Sequence, residues 1–186
     1  MKKTLIALSL FALVGSANAL EVVKNQSDSF GVFGGVVSGK TASQYSTASE
    51  KSTGYVLGAN YTKYLTQGLF VQPSVQFIDG KTERNDKHTV ALINVGYTYA
   101  YEGITVSPKA GVGYAHSKYN HTYTIGELGV PLWTYNDKGS KGGAAYNVGL
   151  DVGFANNWSV GLNHTRMKAG NGKNADYTTL SLGYKF

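Results

Sequence analysis

The chain has 186 residues, a formal net charge of +6 at pH 7 and no cysteine, so disulfide bonds are excluded as a source of stability. Glycine (24) and tyrosine (14) are abundant while proline (3) is scarce. This balance is typical of a closed antiparallel sheet and argues against a disordered chain.

The N-terminus has the pattern of a secretory signal peptide. Lys2 and Lys3 form a basic segment, residues 5–14 are apolar, and Ala17-Asn18-Ala19 is a small-x-small cleavage site. The apolar run is shorter than the roughly 20 residues that a membrane-spanning helix needs. We therefore expect the chain to be exported and cleaved after Ala19.

Cleavage would divide the chain into three parts. We predict a signal peptide at residues 1–19, a short periplasmic segment at 20–27 and a single β domain at 28–186. Removing residues 1–19 takes away two lysines and no acid, which lowers the formal charge from +6 to +4. So small an excess on an exported chain does not indicate nucleic-acid binding.

From residue 28 onward, apolar and polar residues alternate. In residues 146–154, Tyr, Val, Leu, Val and Phe alternate with Asn, Gly, Asp and Gly. A period of two is the pattern of a strand with one apolar face. Along the chain it predicts eight strands, each long enough to cross a bilayer when tilted. The predicted strands are 28–39, 53–65, 69–79, 88–101, 104–117, 143–155, 158–168 and 176–186.

The connections between these strands alternate in length. Short turns are predicted at 66–68, 102–103 and 156–157, and longer loops at 40–52, 80–87, 118–142 and 169–175. This order is that of an up-and-down outer-membrane barrel, with short turns in the periplasm and long loops outside. An even number of strands leaves both termini in the periplasm. Lipid offers no hydrogen bonds to a bare sheet edge, so the sheet must close on itself.

Charged residues within the strands predict which face points inward. A lysine that faces lipid at the bilayer midplane costs roughly 2–4 kcal/mol, and an aspartate costs less. Lys109 and Asp151 should therefore point into the barrel, which places Tyr146, Val148 and Leu150 against lipid. Because their two strands pair in this arrangement, we predict an interior ion pair between Lys109 and Asp151, within a plug of polar side chains.

Aromatic residues are expected to form two bands at the membrane surfaces. The band near the short turns comprises Phe70, Tyr99, Tyr101, Phe154, Trp158, Tyr184 and Phe186. The band near the long loops comprises Tyr55, Phe77, Tyr114 and Tyr146.

Basic residues outnumber acids beyond the second band, and they are expected to ring the outer side of the barrel. They are Lys40, Lys51, Lys81, Arg84, Lys87, Lys118, Lys138, Lys141, Arg166, Lys168 and Lys173. Such a ring would neutralise lipopolysaccharide phosphates in the outer leaflet. The alternative is a set of solvated lysines with no specific partner.

Residues 118–142 keep the period of two past the expected membrane edge, which predicts a hairpin that extends its two strands outside the bilayer. Its candidate contact residues are Tyr119, Tyr123, Leu132, Trp133 and Tyr135. Exposed, they would form a contact surface for a host or environmental ligand. Alternatively, the segment folds over the barrel mouth and buries these rings.

The chain ends in Leu182-Gly183-Tyr184-Lys185-Phe186. This segment, together with residues 110–114 (Ala-Gly-Val-Gly-Tyr), resembles the small eight-stranded outer-membrane barrels of the OmpX/Ail type and the OmpA transmembrane domain. The resemblance implies a surface protein that contributes to envelope integrity. It also implies that the barrel-assembly machinery recognises the last strand through Tyr184 and Phe186.

The histidines do not form a recognisable catalytic or metal-binding pattern. His116 and His121 lack the spacing of a zinc site. Small lipid A deacylases carry a His-x-Ser pair near the last strands, but here His164 is followed by Thr165 and Arg166, so the nucleophile is missing. We expect a non-enzymatic monomer without cofactor or metal. The alternatives are a lipid A-modifying enzyme, a narrow porin-like channel, and a soluble lipocalin-type barrel with the opposite sidedness.

Overall fold

A computed structural model describes most of the predicted β domain. The described residues are 21–22, 27–42, 49–81, 86–127, 130–154, 156–168 and 174–186. The predicted signal peptide at 1–19 lies outside them. Among the described residues, no helix is long and apolar enough to cross a membrane.

Antiparallel strands account for nearly all of the described chain. They are β1 (Glu21–Val22), β2 (Ser29–Ala42), β3 (Ser49–Thr66), β4 (Leu69–Lys81), β5 (Asp86–Tyr97), β6 (Tyr99–Tyr101), β7 (Ile104–Glu127), β8 (Val130–Gly153), β9 (Trp158–Lys168) and β10 (Asn174–Lys185). β5 and β6 form one barrel strand that is interrupted at Thr98. The barrel therefore has eight strands, as predicted.

The sheet closes on itself. When β5 and β6 are taken as one strand, consecutive strands from β2 to β10 are hydrogen-bonded neighbours, and β10 returns to pair with β2 from Thr41↔Ala175 to Gly31↔Lys185. Closure leaves no bare edge around the barrel wall. β1 adds a two-residue strand to β6, which the sequence pattern did not predict.

One end of the barrel, here called the short-turn end, carries three tight turns and the C-terminus. At the turn between β6 and β7, Glu102 and Gly103 both have positive φ, at 46° and 84°, as a type I′ hairpin turn requires. Gly68 and Asn157 also have positive φ, at 76° and 66°. The three predicted short turns are confirmed.

At the opposite end, here called the long-hairpin end, β7 and β8 extend far beyond their neighbours. They pair with each other to the tip, at Glu127↔Val130. Among the described residues, β7 pairs with β5 only as far as Lys118, and β8 pairs with β9 only from Ala145. We call residues 119–139 the ribbon. At about 3.3 Å per residue it projects roughly 30 Å, which confirms the predicted hairpin.

The exterior of the barrel is apolar. Tyr146 and Val148 are 58% and 56% exposed, whereas the Lys109 and Asp151 side chains are only 7% and 18% exposed. Alternate residues of each strand therefore form an outward apolar band and an inward filling. The predicted sidedness is confirmed, and it is the sidedness of a barrel in lipid.

The interior has two chemically different halves. The half near the short turns is polar, but the half near the long-hairpin end is an apolar cluster. Its members are Val37, Val56, Ile78, Val90, Leu92, Ala115, Ala145, Met167, Ala175 and Tyr177. The prediction of a polar plug was therefore wrong for this half. Packed inward positions are shielded from water as well as from lipid, so burying apolar side chains there is favourable.

Phe70 corrects the predicted aromatic band near the short turns. It is only 1% exposed and points inward, on the same face of β4 as Gln72. Its ring packs against Tyr64 at a centroid distance of 5.9 Å. Gly96 leaves room for it, because a Cβ there would lie 2.4 Å from the Phe70 ring.

Candidate functional site

The polar half of the interior is organised around the two charges that the sequence singled out. Lys109 on β7 and Asp151 on β8 come together, with Lys109 Nζ 2.6 Å from Asp151 Oδ2. Lys109 also donates a hydrogen bond to Gln72 Oε1 at 3.0 Å. Lys185 interacts electrostatically with both members of the pair. The interior thus holds one carboxylate among two ammonium groups.

Neutral amides and hydroxyls extend this pair across the barrel. Gln72 Nε2 donates to Thr62 Oγ1 at 2.9 Å, and the main-chain carbonyl of Gln72 accepts from Asn94 Nδ2 at 3.2 Å. Asn147 Nδ2 donates in turn to Asn94 Oδ1 at 2.9 Å. Sequence reasoning missed Gln72 and Asn94, although both are polar residues that alternate with outward apolar ones.

Little space remains around the network. A Cβ on Gly161 would lie 2.8 Å from both Asp151 Oδ1 and Ser181 Oγ, so this glycine lets the carboxylate approach the wall. The void beside the ion pair measures about 40 Å³, which is room for very few water molecules. The arrangement satisfies buried charge and does not resemble a substrate site.

A second polar cluster lies inside the apolar half. His88 Nδ1 is 2.8 Å from Ser117 Oγ, and His88 Nε2 is 2.9 Å from Tyr177 Oη. A serine beside an imidazole is the geometry of an activated nucleophile. All three side chains are fully buried, however, so no substrate reaches them and the cluster satisfies buried polar groups.

The exterior near the long-hairpin end carries the histidine considered for catalysis. His164 Nδ1 lies 3.1 Å from Thr178 Oγ1 on the neighbouring strand. Arg166 is exposed with Nε 3.7 Å from Asp176 Oδ1, and Thr165 is buried on the other face, as its alternation predicts. Within the described chain, no group of three His, Asp or Glu residues is placed to hold a metal ion.

Exposed basic side chains surround the same end. The described members of the predicted ring are Lys40, Lys51, Lys87, Lys118, Lys141, Arg166 and Lys168, and all are exposed. The remaining four, Lys81, Arg84, Lys138 and Lys173, lie outside the residues whose side chains are described. The structure therefore places a basic rim next to the apolar band.

The ribbon brings four of its five candidate contact residues into register on one face. Tyr123 is the cross-strand partner of Tyr135, and Tyr119 is opposite Gly139. Trp133 is opposite Ile125, and Leu132 falls at the adjacent register shift. The side chains of these residues lie outside the described set.

The last strand ends in an aromatic cluster at the short-turn end. Tyr184 packs edge-on against Trp158 and Phe186, at centroid distances of 5.2 Å and 5.0 Å. The Phe186 amide donates to the Phe30 carbonyl at 2.8 Å. The final residue thus helps to join β10 to β2 where the barrel closes.

Comparison with known proteins agrees with this architecture. Residues 6–186 match the outer membrane protein beta-barrel domain family, while no curated protein matches the sequence. The attachment invasion locus protein Ail of Yersinia pestis, solved with the heparin analogue sucrose octasulfate, has a TM-score of 0.58 and 14% identity, covering 87% of this chain and 100% of its own. Neisserial surface protein A has a TM-score of 0.58 and 15% identity, covering 86% and 98%. These likenesses concern the fold, and the family match assigns the chain: it belongs to the outer membrane protein β-barrel domain family.

Proposed function

We propose that this protein is a non-enzymatic surface protein of the outer membrane. In this proposal it contributes to envelope integrity and contacts a host or environmental ligand through the ribbon, which lies within the predicted loop 118–142. The long-hairpin end faces outside, both termini are periplasmic, and residues 1–19 are removed on export. The barrel is a monomer, folded by the barrel-assembly machinery through its Tyr184 and Phe186 end.

The ribbon is the single observation that carries this proposal. Its register places Tyr119, Tyr123, Ile125, Trp133 and Tyr135 on one face, which also carries the cross-strand partners His121 and Asp137, and threonines, asparagines and Lys138 on the other. Such an amphipathic ribbon, held beyond the membrane by two barrel strands, suits contact with a partner surface. Aromatic residues bring large contact area at low entropic cost.

The closed interior supports a role in envelope integrity. The apolar cluster and the network around Lys109 fill the barrel along its axis, and eight strands enclose little more than side chains. An aqueous path is not expected in such a core. The exposed rim of lysines supports contact with lipopolysaccharide phosphates, which would fix the barrel in the outer leaflet.

The test uses cells that display the full-length protein on their surface. The double variant Tyr123→Ser/Trp133→Ser removes two aromatic residues from one face, and the matched control Thr122→Ser/Thr134→Ser changes the opposite face. Binding of the cells to immobilised heparin and to extracellular-matrix proteins is measured, with surface proteolysis to check display. The proposal expects the aromatic variant to lose at least about tenfold in binding while the control keeps it. Equal binding by wild type, variant and protein-free cells to every surface would refute it.

The rival function is lipid A modification, favoured by the His164–Thr178 contact of 3.1 Å at the outer rim. A hydroxyl beside an imidazole is one requirement for acyl transfer. Our proposal expects His164→Ala to leave the lipid A acylation pattern unchanged in mass spectra of the outer membrane. A changed pattern would establish an enzyme in place of the non-enzymatic role.

A further inference from the structure

A groove of about 360 Å³ crosses the outside of the barrel near the long-hairpin end, over β3, β4, β5 and β7. Its floor is apolar, with Leu57 and Phe77 both exposed on the outward band. Its upper edge carries Lys87, His116 and Lys118. The groove therefore spans the boundary between the apolar band and the basic rim.

Two of these cations face each other, and only one of them has a described carboxylate partner. Lys87 and Lys118 are direct cross-strand partners, and like charges in that position destabilise a sheet. Asp79 offsets part of this, with Oδ2 3.7 Å from Lys87 Nζ, and accepts a hydrogen bond from Tyr55 Oη at 3.0 Å. No described carboxylate pairs with Lys118, so the groove lining carries two lysines and a single carboxylate, Asp79.

We infer that this groove binds a phosphorylated, acylated sugar lipid of the outer leaflet, which is the chemistry of lipid A. A phosphate would lie between Lys87 and Lys118, with His116 as a further hydrogen-bond donor, and one acyl chain would lie along Leu57 and Phe77. Lysines are suited to phosphate as compact charges, and the groove has the volume of a small-molecule site. The inference rests on the proposed function for two points, that the long-hairpin end faces outside and that the lysine rim contacts lipopolysaccharide.

The chain supplies a matched control on another part of the rim. Lys40 and Lys51 are also cross-strand partners and are also exposed, but neither lines the groove over Leu57 and Phe77. Neutralising this pair removes the same charge from the same kind of position. If the two double variants differ in their loss of lipid A affinity, the difference is due to the groove and cannot be due to net charge.

The experiment uses the complete β domain, folded into phosphatidylcholine nanodiscs and checked for heat-modifiable gel mobility. Binding of fluorescent diphosphoryl lipid A is measured for wild type, Lys87→Gln/Lys118→Gln and Lys40→Gln/Lys51→Gln. We expect the groove variant to lose at least about tenfold in affinity, from two lost lysine–phosphate attractions. The control removes only part of the diffuse attraction of the rim and should lose less than about twofold. Equal losses in both variants would overturn the inference and indicate diffuse attraction.

Two further binding measurements identify the chemistry of the ligand. Phe77→Ala should weaken lipid A binding without changing the weak binding of a deacylated sugar phosphate, and no weakening would overturn the acyl contact. Phosphatidylglycerol should compete poorly, and competition equal to lipid A would overturn a sugar-lipid site in favour of any anionic lipid. Failure of the ribbon variants to affect adhesion would leave these lipid measurements unchanged, so the two proposals fail separately.

Discussion

Asp151→Asn is expected to destabilise the barrel more than any other single change to the interior network. The substitution keeps the shape of the side chain but removes the carboxylate that lies 2.6 Å from Lys109 Nζ. Lys109 and Lys185 then remain inside the barrel with no described anion between them. The asparagine also replaces one of the two carboxylate acceptors with an amide donor.

The size of the effect follows from burial. Breaking a buried ion pair by removing one partner costs about 3–5 kcal/mol. Lys109 keeps its hydrogen bond to Gln72 at 3.0 Å, and the Asp151 side chain is 18% exposed, so the lower end of that range applies. Lys109→Gln should lower the free energy of unfolding by less, because Asp151 can still interact with the positive charge of Lys185. The double variant Lys109→Met/Asp151→Leu should regain part of the loss, because Lys109 no longer remains as an unpaired charge, whereas Lys185 still lacks its anion.

Urea unfolding in lipid vesicles, followed by tryptophan fluorescence and by gel mobility, measures these differences. We expect a free energy of unfolding about 3 kcal/mol lower for Asp151→Asn. The order of the variants in free energy of unfolding is as informative as the size of the differences. Asp151→Asn within about 0.5 kcal/mol of wild type, or a double variant less stable than Asp151→Asn, would refute the electrostatic argument.

Three other outcomes follow from the same structure. In planar bilayers, the apolar cluster should prevent large stable single-channel currents, and such currents would contradict the sealed interior. Gly161→Leu should lower stability by about 1–3 kcal/mol through overpacking, since even a Cβ at this position would lie 2.8 Å from Asp151 Oδ1. Unchanged urea unfolding would show that the barrel wall moves enough to accommodate the larger side chain. Removing Phe186 should slow assembly in cells, measured as the fraction of heat-modifiable protein after pulse labelling, and a normal rate would show that the assembly machinery does not need this residue.

The sequence predicted the side-chain orientation correctly at positions where the wrong orientation would cost much free energy. Lys109 and Asp151 would be heavily penalised on the lipid face, so their parity fixed the sidedness of two strands. The strand number and short turns followed from the same alternation and from residues such as Gly103. Neutral groups carry less information: Gln72 and Asn94 join the network, but no large penalty forced them to be noticed.

The sequence was ambiguous wherever an apolar residue is acceptable on both faces. Phe70 is suitable for an aromatic band and equally for the interior. Only its position two residues before Gln72, on the same face of the strand, decides between them. Val56 and Ile78 belong to the inward cluster for the same reason. His88 carries no signal of its cluster in the sequence, because its partners Ser117 and Tyr177 come from distant strands and share no local pattern with it.

The central claim is that alternate residues of each strand face lipid, and spin-label accessibility on β8 tests it most directly. Single cysteines placed in turn at positions 146 to 152 of the cysteine-free chain, each labelled with a nitroxide in lipid vesicles, would be exposed to oxygen and to a water-soluble nickel complex. We predict that oxygen accessibility oscillates with a period of two, with maxima at 146, 148, 150 and 152. Maxima at 147, 149 and 151, or no oscillation, would contradict the account.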